Sequence, residues 1–276
     1  MKSREKNGRN PTENSMLRRW FGTRPVSRID FIVGGVQKAG TTALHDFLAQ
    51  HPHVALLRDQ ALHFFDKEEN FAGTPDYDVL HGNFDPPRNW KIAGEVTADY
   101  LYYPRALERI AAYNPAIKLV VSLRNPVDRA FSQWNMRHAK GREALPFIDA
   151  IKCDVEIGVH RAPRGNAYIA RSLYSEQLER VFDLFPRENV LVLKYEDLRD
   201  KPEQVVHQLF DFLGLEFRKV KNKHRNVGIY SRKMTLEERE FVSGFFETDI
   251  PKVETLLGWN CSDWRSIVAP SAAVSR

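Results

Sequence analysis

Residues 31–44 read FIVGGVQKAGTTAL, an apolar run followed by a turn that contains glycine, lysine and threonine and then by a helical pattern. Glycines let a backbone fold closely around an anion, and the first N–H groups of a helix have no intrahelical acceptors. The helix dipole adds partial positive charge at this point, and Lys38 adds a full charge. The stretch therefore predicts a strand, a turn that binds phosphate or sulfate, and a helix.

The position of Lys38 distinguishes two kinds of phosphate-binding loop. In a Walker A loop the lysine follows the last glycine, and the next residue is a serine or threonine that holds magnesium. Here Lys38 precedes Gly40, and two threonines follow the glycine. The order Lys-x-Gly-Thr-Thr resembles the 5′-phosphosulfate loop of sulfotransferases that use 3′-phosphoadenosine 5′-phosphosulfate (PAPS). An ordinary tight strand-to-helix turn is the alternative for this segment alone.

This resemblance implies roles for five consecutive residues. We expect Lys38 to neutralise charge on the oxygen that bridges the sulfuryl group and the 5′-phosphate, and so to be both catalytic and donor-binding. The residues expected to hold the 5′-phosphate with it are Ala39, Gly40, Thr41 and Thr42.

A second strand-to-helix segment carries an arginine and, eight residues later, a serine. Residues 118–123, KLVVSL, have the pattern of a buried strand, and Arg124 follows directly. Pro126 stands where a helix would begin, which places Ser132 about two turns into that helix. A guanidinium and a hydroxyl from two elements can converge on one anion. The resemblance implies that Arg124 and Ser132 bind the 3′-phosphate of PAPS; a surface arginine and an ordinary helix serine are the alternative.

Later motifs narrow the resemblance to one branch. They follow the order seen in heparan-sulfate-type (carbohydrate) sulfotransferases and their bacterial relatives: HPHV at 51–54, HFFD at 63–66, GEVT at 94–97, RSLY at 171–174 and KYEDL at 194–198. The similarity runs from Ile29 to Trp264, nearly the whole chain. It implies a P-loop-like fold and transfer of a sulfuryl group from PAPS to a hydroxyl or amine.

The chain departs from that branch at Ala61, where the branch has an acidic general base. Transfer to a hydroxyl needs a base near the acceptor, which typically contributes about 10²–10⁴-fold in rate. We expect His63 to be this base, because imidazole exchanges protons near neutral pH, with Asp59 and Glu95 as alternatives. A structural histidine packed beneath the aromatic pair is the competing interpretation. A nucleotide-binding relative that has lost catalysis is the corresponding alternative for the whole protein.

The basic segment at 217–234, FRKVKNKHRNVGIYSRKM, has little regular pattern. Relatives use a loop here to close over the 3′-phosphate with a cation and a backbone N–H beside a glycine. The resemblance therefore adds Arg225, Val227 and Gly228 to the donor-binding residues. A solvated charged loop is the alternative for its lysines.

Alternating apolar and amphipathic segments predict an α/β fold. The strand candidates are 30–34, 54–57, 92–96, 118–123 and 190–194. The helix candidates are 41–50, 104–114, 126–140, 175–185, 202–213 and 236–246. Strands that are apolar throughout belong in a parallel sheet covered by helices on both faces, which gives three layers. Ligands of such sheets bind beyond the carboxyl ends of the strands, where both phosphate motifs lie.

Length and charge set the domain organisation. The 276 residues, 42% of them hydrophobic, are enough for one large domain. We predict a flexible basic arm at 1–28, a sulfotransferase domain at 29–265 and a C-terminal tail at 266–276. The net charge of +5 suits an anionic nucleotide donor, and we expect no nucleic-acid partner.

Cysteine usage bears on location and on metals. Cys153 and Cys261 are isolated in sequence and have neither metal-ligand spacing nor a disulfide framework. With no apolar run long enough for a membrane span and no signal-peptide core, the sequence predicts a bacterial cytoplasmic enzyme or an excised domain. The histidines are scattered, so we expect no metal site.

The acceptor is expected to bind on variable loops, here residues 67–89 and 140–166. A saccharide hydroxyl or amine leads the candidates, followed by a lipid or a small metabolite. A P-loop kinase would turn over ATP with magnesium, and the order of lysine before glycine argues against it.

Overall fold

A five-stranded parallel sheet organises the part of the chain that the structure describes. The computed structural model describes residues 24–57, 61–158, 165–221, 230 and 232–265. The strands are β1 Phe31–Gly35, β2 Val54–Leu56, β3 Ile92–Val96, β4 Lys118–Leu123 and β5 Val190–Lys194. Their order is β2-β3-β1-β4-β5, and every neighbouring pair is parallel. β1 therefore lies in the centre, with β3 and β4 on its two sides.

Helices connect the strands. They are α1 Thr41–Leu48, α2 Tyr77–His81, α3 Pro104–Tyr113, α4 Pro126–Ala139, α5 Phe147–Ile157, α6 Ser175–Leu184, α7 Tyr195–Asp200, α8 Pro202–Phe212, α9 Leu236–Ser243, α10 Asp249–Leu257 and α11 Ser262–Arg265. Short 3₁₀ turns lie at Glu68–Phe71, Tyr100–Tyr102, Ala170–Ser172, Arg187–Asn189 and Gly244–Phe246. No helix in the described ranges is long and apolar enough to cross a bilayer.

The sheet separates two apolar cores. Successive side chains of a strand point to opposite faces. Phe31 and Val33 of β1 pack in the core that contains buried residues of α1 and α8, whereas Ile32 packs in the core that contains those of α3, α4 and α6. Because both faces are covered, all five residues of β1 are buried. The predicted three-layer α/β fold with a central parallel sheet is confirmed.

The element boundaries differ from the sequence predictions mainly at helix ends. The five predicted strands are present within one residue of their expected bounds, and each predicted helix ends at least one residue early. α2 and α5 lie in segments that we predicted as loops. α5 shows the helical spacing in its buried residues Phe147, Ala150, Ile151 and Asp154. The pattern was therefore present in the sequence, and the loop prediction for this segment was wrong.

Residues 24–28 of the predicted arm pack against the domain. Val26 is buried in the core, and the Arg24 guanidinium lies 4.2 Å from the centre of the Trp90 ring. The Trp90 indole N–H donates to the Arg24 carbonyl at 2.9 Å. The packed part of the chain therefore begins before residue 29, the first residue of the predicted domain. Residues 1–23 and the predicted tail at 266–276 lie outside the described residues.

Gly94 allows the close approach of β3 to the aromatic ring of β1. It pairs with Phe31, and a Cβ at position 94 would lie 2.4 Å from the Phe31 Cζ. We expect Gly94→Ala to lower the free energy of unfolding by about 1–3 kcal/mol, because the buried ring must shift. Gly73→Ala is the control, since a Cβ there meets nothing within 4 Å. Urea unfolding compares the two variants, and equal stability would contradict this packing argument.

Candidate active site

The turn between β1 and α1 presents unpaired N–H groups. Gly40 is the N-cap of α1 at φ 83°, and neither a capping side chain nor an acidic residue occupies the first turn. The N–H of Ala39 donates to the Val36 carbonyl at 3.1 Å, whereas those of Gly40, Thr41 and Thr42 have no acceptor among the described residues. An anion placed here would pair these groups and be attracted by the helix dipole.

A glycine is required at position 40 for two reasons. Its φ of 83° lies in the left-handed region, where side chains are strained. A Cβ there would also lie 2.5 Å from the Leu198 Cδ2 and 3.1 Å from the Tyr195 ring. The start of α7 therefore packs directly on the turn and fixes its position.

Lys38 lies in a positively charged environment. Burial, followed by repulsion from Arg124, Lys140 and Arg129, lowers the pKa of Lys38 to about 8. All of the charges that act on this pKa are positive. The backbone at Lys38 adopts φ 77°, a conformation that costs a non-glycine residue about 1–3 kcal/mol. Such strain and such repulsion are typical of a site that binds an anion.

Arg124 joins the two strand-end turns. Its Nη1 donates to the Lys38 carbonyl at 3.1 Å, and its guanidinium lies 4.7 Å from the centre of the Tyr195 ring. The Arg124 carbonyl accepts a hydrogen bond from the Tyr174 hydroxyl at 2.8 Å. Because β1 and β4 are neighbours, Lys38 and Arg124 meet at one edge of the sheet.

The turn after β4 is fixed by its own cap. The Asn125 Oδ1 accepts from the N–H groups of Val127 at 3.0 Å and Asp128 at 3.3 Å, and Pro126 occupies the first turn of α4. The Asn125 N–H donates to the Glu196 Oε1 at 3.0 Å. Glu196 of the KYEDL motif therefore positions this turn.

Ser132 and Arg124 both lie near Tyr230. Ser132 is buried in α4, and its Oγ accepts a hydrogen bond from the Tyr230 hydroxyl at 3.0 Å. Burial lowers the pKa of Arg124, but Tyr230 is among the neighbours that raise it above its ordinary value, so this tyrosine also lies near the guanidinium. The two side chains predicted to share one phosphate are thus neighbours of the same tyrosine. The other predicted residues of this part of the site, Arg225, Val227 and Gly228, lie outside the described residues.

His63 is held by a buried carboxylate. Its Nδ1 lies 2.9 Å from the Asp66 Oδ2, which leaves the Nε2 to exchange a proton. The hydrogen bond to Asp66 raises the pKa of His63 above its ordinary value, against the effect of burial, and the charge of Asp99 adds to the rise. The side chain of His63 is 32% exposed, so a second molecule can reach it.

A second carboxylate faces the other nitrogen of His63. The Asp99 Oδ2 lies 3.8 Å from the His63 Nε2. The other oxygen of Asp99 is paired with the Nη1 of Arg171, whose Nη2 donates to the Tyr103 hydroxyl at 3.1 Å. Asp99 follows β3, the neighbour of β1, so it lies at the same sheet edge as Lys38 and Arg124.

The alternative bases are less suited to the role. Glu95 is fully buried, and burial raises its pKa to about 7. The Tyr100 and Thr97 hydroxyls lie beside the carboxyl, but neither forms a hydrogen bond of good geometry with it. Asp59 lies outside the described residues. His63 is therefore the accessible candidate of the two that the structure describes.

Three residues of this region were not predicted. Asp99 could have been found from its position two residues beyond the GEVT motif, at the end of a predicted strand. Tyr195 lies in a quoted motif and supports the Arg124 guanidinium. Tyr230 falls in the basic segment and has no sequence signal of its own. Within the described ranges, no group of three or more His, Cys, Asp or Glu side chains is arranged to hold a metal ion.

Comparison with known proteins gives matches over most of the chain. Residues 28–239 match the family model described as a sulfotransferase domain. The crystal structure of a sulfotransferase from Alicyclobacillus acidocaldarius has a TM-score of 0.77 and 31% identity, covering 87% of this chain and all of that one.

Two human proteins are also similar. Heparan sulfate glucosamine 3-O-sulfotransferase 6 is 34% identical over 197 residues, which cover 70% of this chain and 54% of that protein. Bifunctional heparan sulfate N-deacetylase/N-sulfotransferase 2 is 26% identical over 281 residues, which cover 89% of this chain and 32% of that protein. The chain thus spans about half and a third of their lengths. Together with the family model and the bacterial structure, these matches show that the chain belongs to the sulfotransferase family.

Proposed function

We propose that this protein transfers a sulfuryl group from PAPS to a hydroxyl or amine of an acceptor. One observation carries the proposal: the unpaired N–H groups at the start of α1 and the positive charge of Lys38 meet Arg124 at one sheet edge. Such an edge suits a nucleotide with anionic groups at both its 5′ and 3′ positions.

The residues fit the two anionic ends of that donor. The N–H groups of Gly40, Thr41 and Thr42 would hold the 5′-phosphate, and Arg124 with Ser132 would hold the 3′-phosphate. The Ala39 N–H stabilises the turn instead, since it already donates to the Val36 carbonyl. Two anchored ends fix the donor so that its sulfuryl group points toward the acceptor.

Lys38 would act on the leaving group. When the sulfur–oxygen bond to the 5′-phosphate breaks, negative charge develops on the bridging oxygen. A protonated lysine that is already surrounded by protein stabilises this charge without first being desolvated. Because the pKa of Lys38 is lowered to about 8, a bound anion favours the protonated form of the lysine.

His63 would accept the proton of the acceptor. The bond from Nδ1 to Asp66 fixes the tautomer, so that the lone pair of Nε2 is available. Asp99, 3.8 Å from Nε2, would stabilise the imidazolium that forms. These two carboxylates compensate for Ala61 by making the histidine a stronger base.

We propose a saccharide as the acceptor class, because two relatives are named for heparan sulfate. A lipid or a small metabolite is the alternative.

Both Cys153 and Cys261 are free thiols, which supports the proposed cytoplasmic location.

Transfer from ³⁵S-labelled PAPS to panels of glycans, lipids and phenols tests the proposal. We expect labelled product and adenosine 3′,5′-bisphosphate with EDTA present, since the mechanism uses no magnesium. Tight binding of the bisphosphate without transfer to any acceptor class would favour a non-catalytic relative, the alternative that Ala61 supports. Magnesium-dependent ATP turnover would instead favour a kinase.

The Arg124 guanidinium should set the preference for a 3′-phosphate. We expect calorimetry to show tighter binding of adenosine 3′,5′-bisphosphate than of AMP, because a hydrogen bond to a charged group contributes about 1.5–3 kcal/mol. Arg124→Ala should remove most of this preference. Arg105→Ala is the control, since Arg105 is an exposed residue paired with Glu68. Equal affinity of the unmodified protein for both nucleotides would rule out the 3′-phosphate assignment.

Lys38 should matter more for turnover than for binding. We expect Lys38→Ala to lower kcat about 10²-fold or more, because its charge is needed most as the donor bond breaks. Its affinity for adenosine 3′,5′-bisphosphate should fall by much less. Lys140→Ala is the matched control, because Lys140 is exposed and its charge also acts on Lys38. This substitution should have only a small effect on kcat and on the affinity for the bisphosphate. Equal losses in kcat and affinity for Lys38→Ala would make it a binding residue only.

The His63 base should be visible in mutants and in the pH profile. His63→Ala should lower kcat about 10²-fold or more with donor affinity intact, and Ala61→Glu should restore part of that loss. The exposed His207 provides the control substitution to alanine.

The pH profile follows from the two pKa shifts. His63 must be neutral to act, so kcat/KM should rise through a pKa above 6.5, and it should fall near 8 as the free enzyme loses the Lys38 charge. An unchanged kcat in His63→Ala would contradict the assignment and leave Asp59 and Glu95, which single amide substitutions would separate.

A further inference from the structure

His63 and Ala61 have a backbone conformation that residues with a side chain rarely adopt. Their φ angles are 56° and 62°, in the left-handed region. Such a conformation is costly for a non-glycine residue and persists only where neighbouring groups hold it. Because the imidazole is attached to this backbone, the contacts that hold the chain at His63 also fix the position of the proposed base.

A buried hydroxyl holds the chain directly after His63. The Tyr100 oxygen accepts hydrogen bonds from the N–H of Phe64 at 3.1 Å and from that of Phe65 at 3.4 Å. The first of these N–H groups belongs to the peptide bond between His63 and Phe64, so its direction depends on the ψ angle of His63. Tyr100 is fully buried, and its ring meets the Phe65 ring edge-on with the centres 5.7 Å apart. The hydroxyl is therefore fixed in the core and restricts the backbone of His63.

The carbonyl groups of the same two phenylalanines are bound as well. The Asn70 side chain donates to the Phe64 carbonyl at 2.8 Å, and the Arg109 guanidinium donates to the Phe65 carbonyl at 2.9 Å. Phe64 and Phe65 are thus held at both N–H groups and at both carbonyl groups. Tyr100 supplies the acceptor for both N–H groups, so its hydroxyl has a larger part in this arrangement than either donor.

The turn after β3 contacts His63 at its backbone and at its ring. Tyr100 holds the peptide bond after His63, and the preceding residue, Asp99, has its Oδ2 3.8 Å from the His63 Nε2. At the other ring nitrogen, the Asp66 Oδ2 lies 2.9 Å from the Nδ1, and Asp66 directly follows the backbone that Tyr100 binds. Since β3 pairs with β1, this turn also sets the position of His63 relative to the turn of Lys38.

We infer that Tyr100 is a positioning residue for the proposed base, and that its hydroxyl holds the backbone that aligns His63 and Asp66 with the acceptor. The inference rests on the proposed function, in which His63 takes the acceptor proton. Because Tyr100 is fully buried, it acts through His63 and contacts neither the donor nor the acceptor.

Substitution of two tyrosines by phenylalanine separates positioning from stability. Tyr113 is the matched control, because its hydroxyl also accepts a buried backbone N–H, that of Ile29 at 2.7 Å, and its ring also packs on Phe65. Both variants should unfold at a lower urea concentration, since each leaves a buried N–H without its acceptor. In transfer from ³⁵S-labelled PAPS, we expect Tyr100→Phe to lower kcat about tenfold or more and Tyr113→Phe to change kcat by less than about twofold. The affinity of both variants for adenosine 3′,5′-bisphosphate should be unchanged.

An NMR titration of His63 adds a readout that a loss of stability alone would not change. The hydrogen bond to Asp66 is the main cause of the raised pKa of His63, and Asp99 adds to the rise, whereas burial and Lys67 oppose it. If the backbone is released, the imidazole and Asp66 lose their alignment. We therefore expect the pKa of His63 to fall toward 6.5 in Tyr100→Phe and to stay raised in the Tyr113→Phe control.

A double-mutant cycle with His63→Ala tests whether Tyr100 acts through the histidine. In the His63→Ala background, Tyr100→Phe should cause no further loss of kcat, because the group that it positions is gone. An equal loss in that background, or an unchanged kcat for Tyr100→Phe alone, would overturn the inference while the proposed function stands. If the unmodified protein transferred no sulfuryl group to any acceptor, the proposed function and this inference would fail together.

Discussion

The parallel pairing of β1 and β4 holds the positive charges of Lys38 and Arg124 close together, and the geometry of the site follows from this. Parallel neighbours end at the same edge, so the turn that carries Lys38 and the turn that carries Arg124 are forced together, with 3.1 Å between the guanidinium Nη1 and the Lys38 carbonyl. Their repulsion helps lower the pKa of Lys38 to about 8. A bound anion would offset this repulsion. The fold therefore favours an anionic ligand at this sheet edge.

The surroundings of His63 have the opposite electrostatic character to those of Lys38. Asp66 and Asp99 flank the imidazole of His63 and raise its pKa, while Arg171 keeps Asp99 in position. The two environments thus move the pKa values of these groups toward each other: that of Lys38 falls and that of His63 rises. Neighbours of opposite charge bring both pKa values closer to neutral pH.

Much of this arrangement could be predicted from the sequence, because strands buried on both faces are apolar throughout. Residues 118–123 identified β4 and hence the position of Arg124, and the glycine in the first turn identified the start of α1. The position of Asp99 could be predicted only from the pairing of β3 with β1, which no local pattern contains. The position of Tyr230 depends on a tertiary contact, its stacking against Phe131. α5 was missed although its buried residues have helical spacing.

A crystal structure of the complex with adenosine 3′,5′-bisphosphate tests the central claim most directly. We expect the 5′-phosphate to lie within hydrogen-bonding distance of the N–H groups of Gly40, Thr41 and Thr42. We expect the 3′-phosphate to lie between the Arg124 guanidinium and the Ser132 hydroxyl. A nucleotide bound in the reverse direction, or a 3′-phosphate in contact with neither Arg124 nor Ser132, would contradict it.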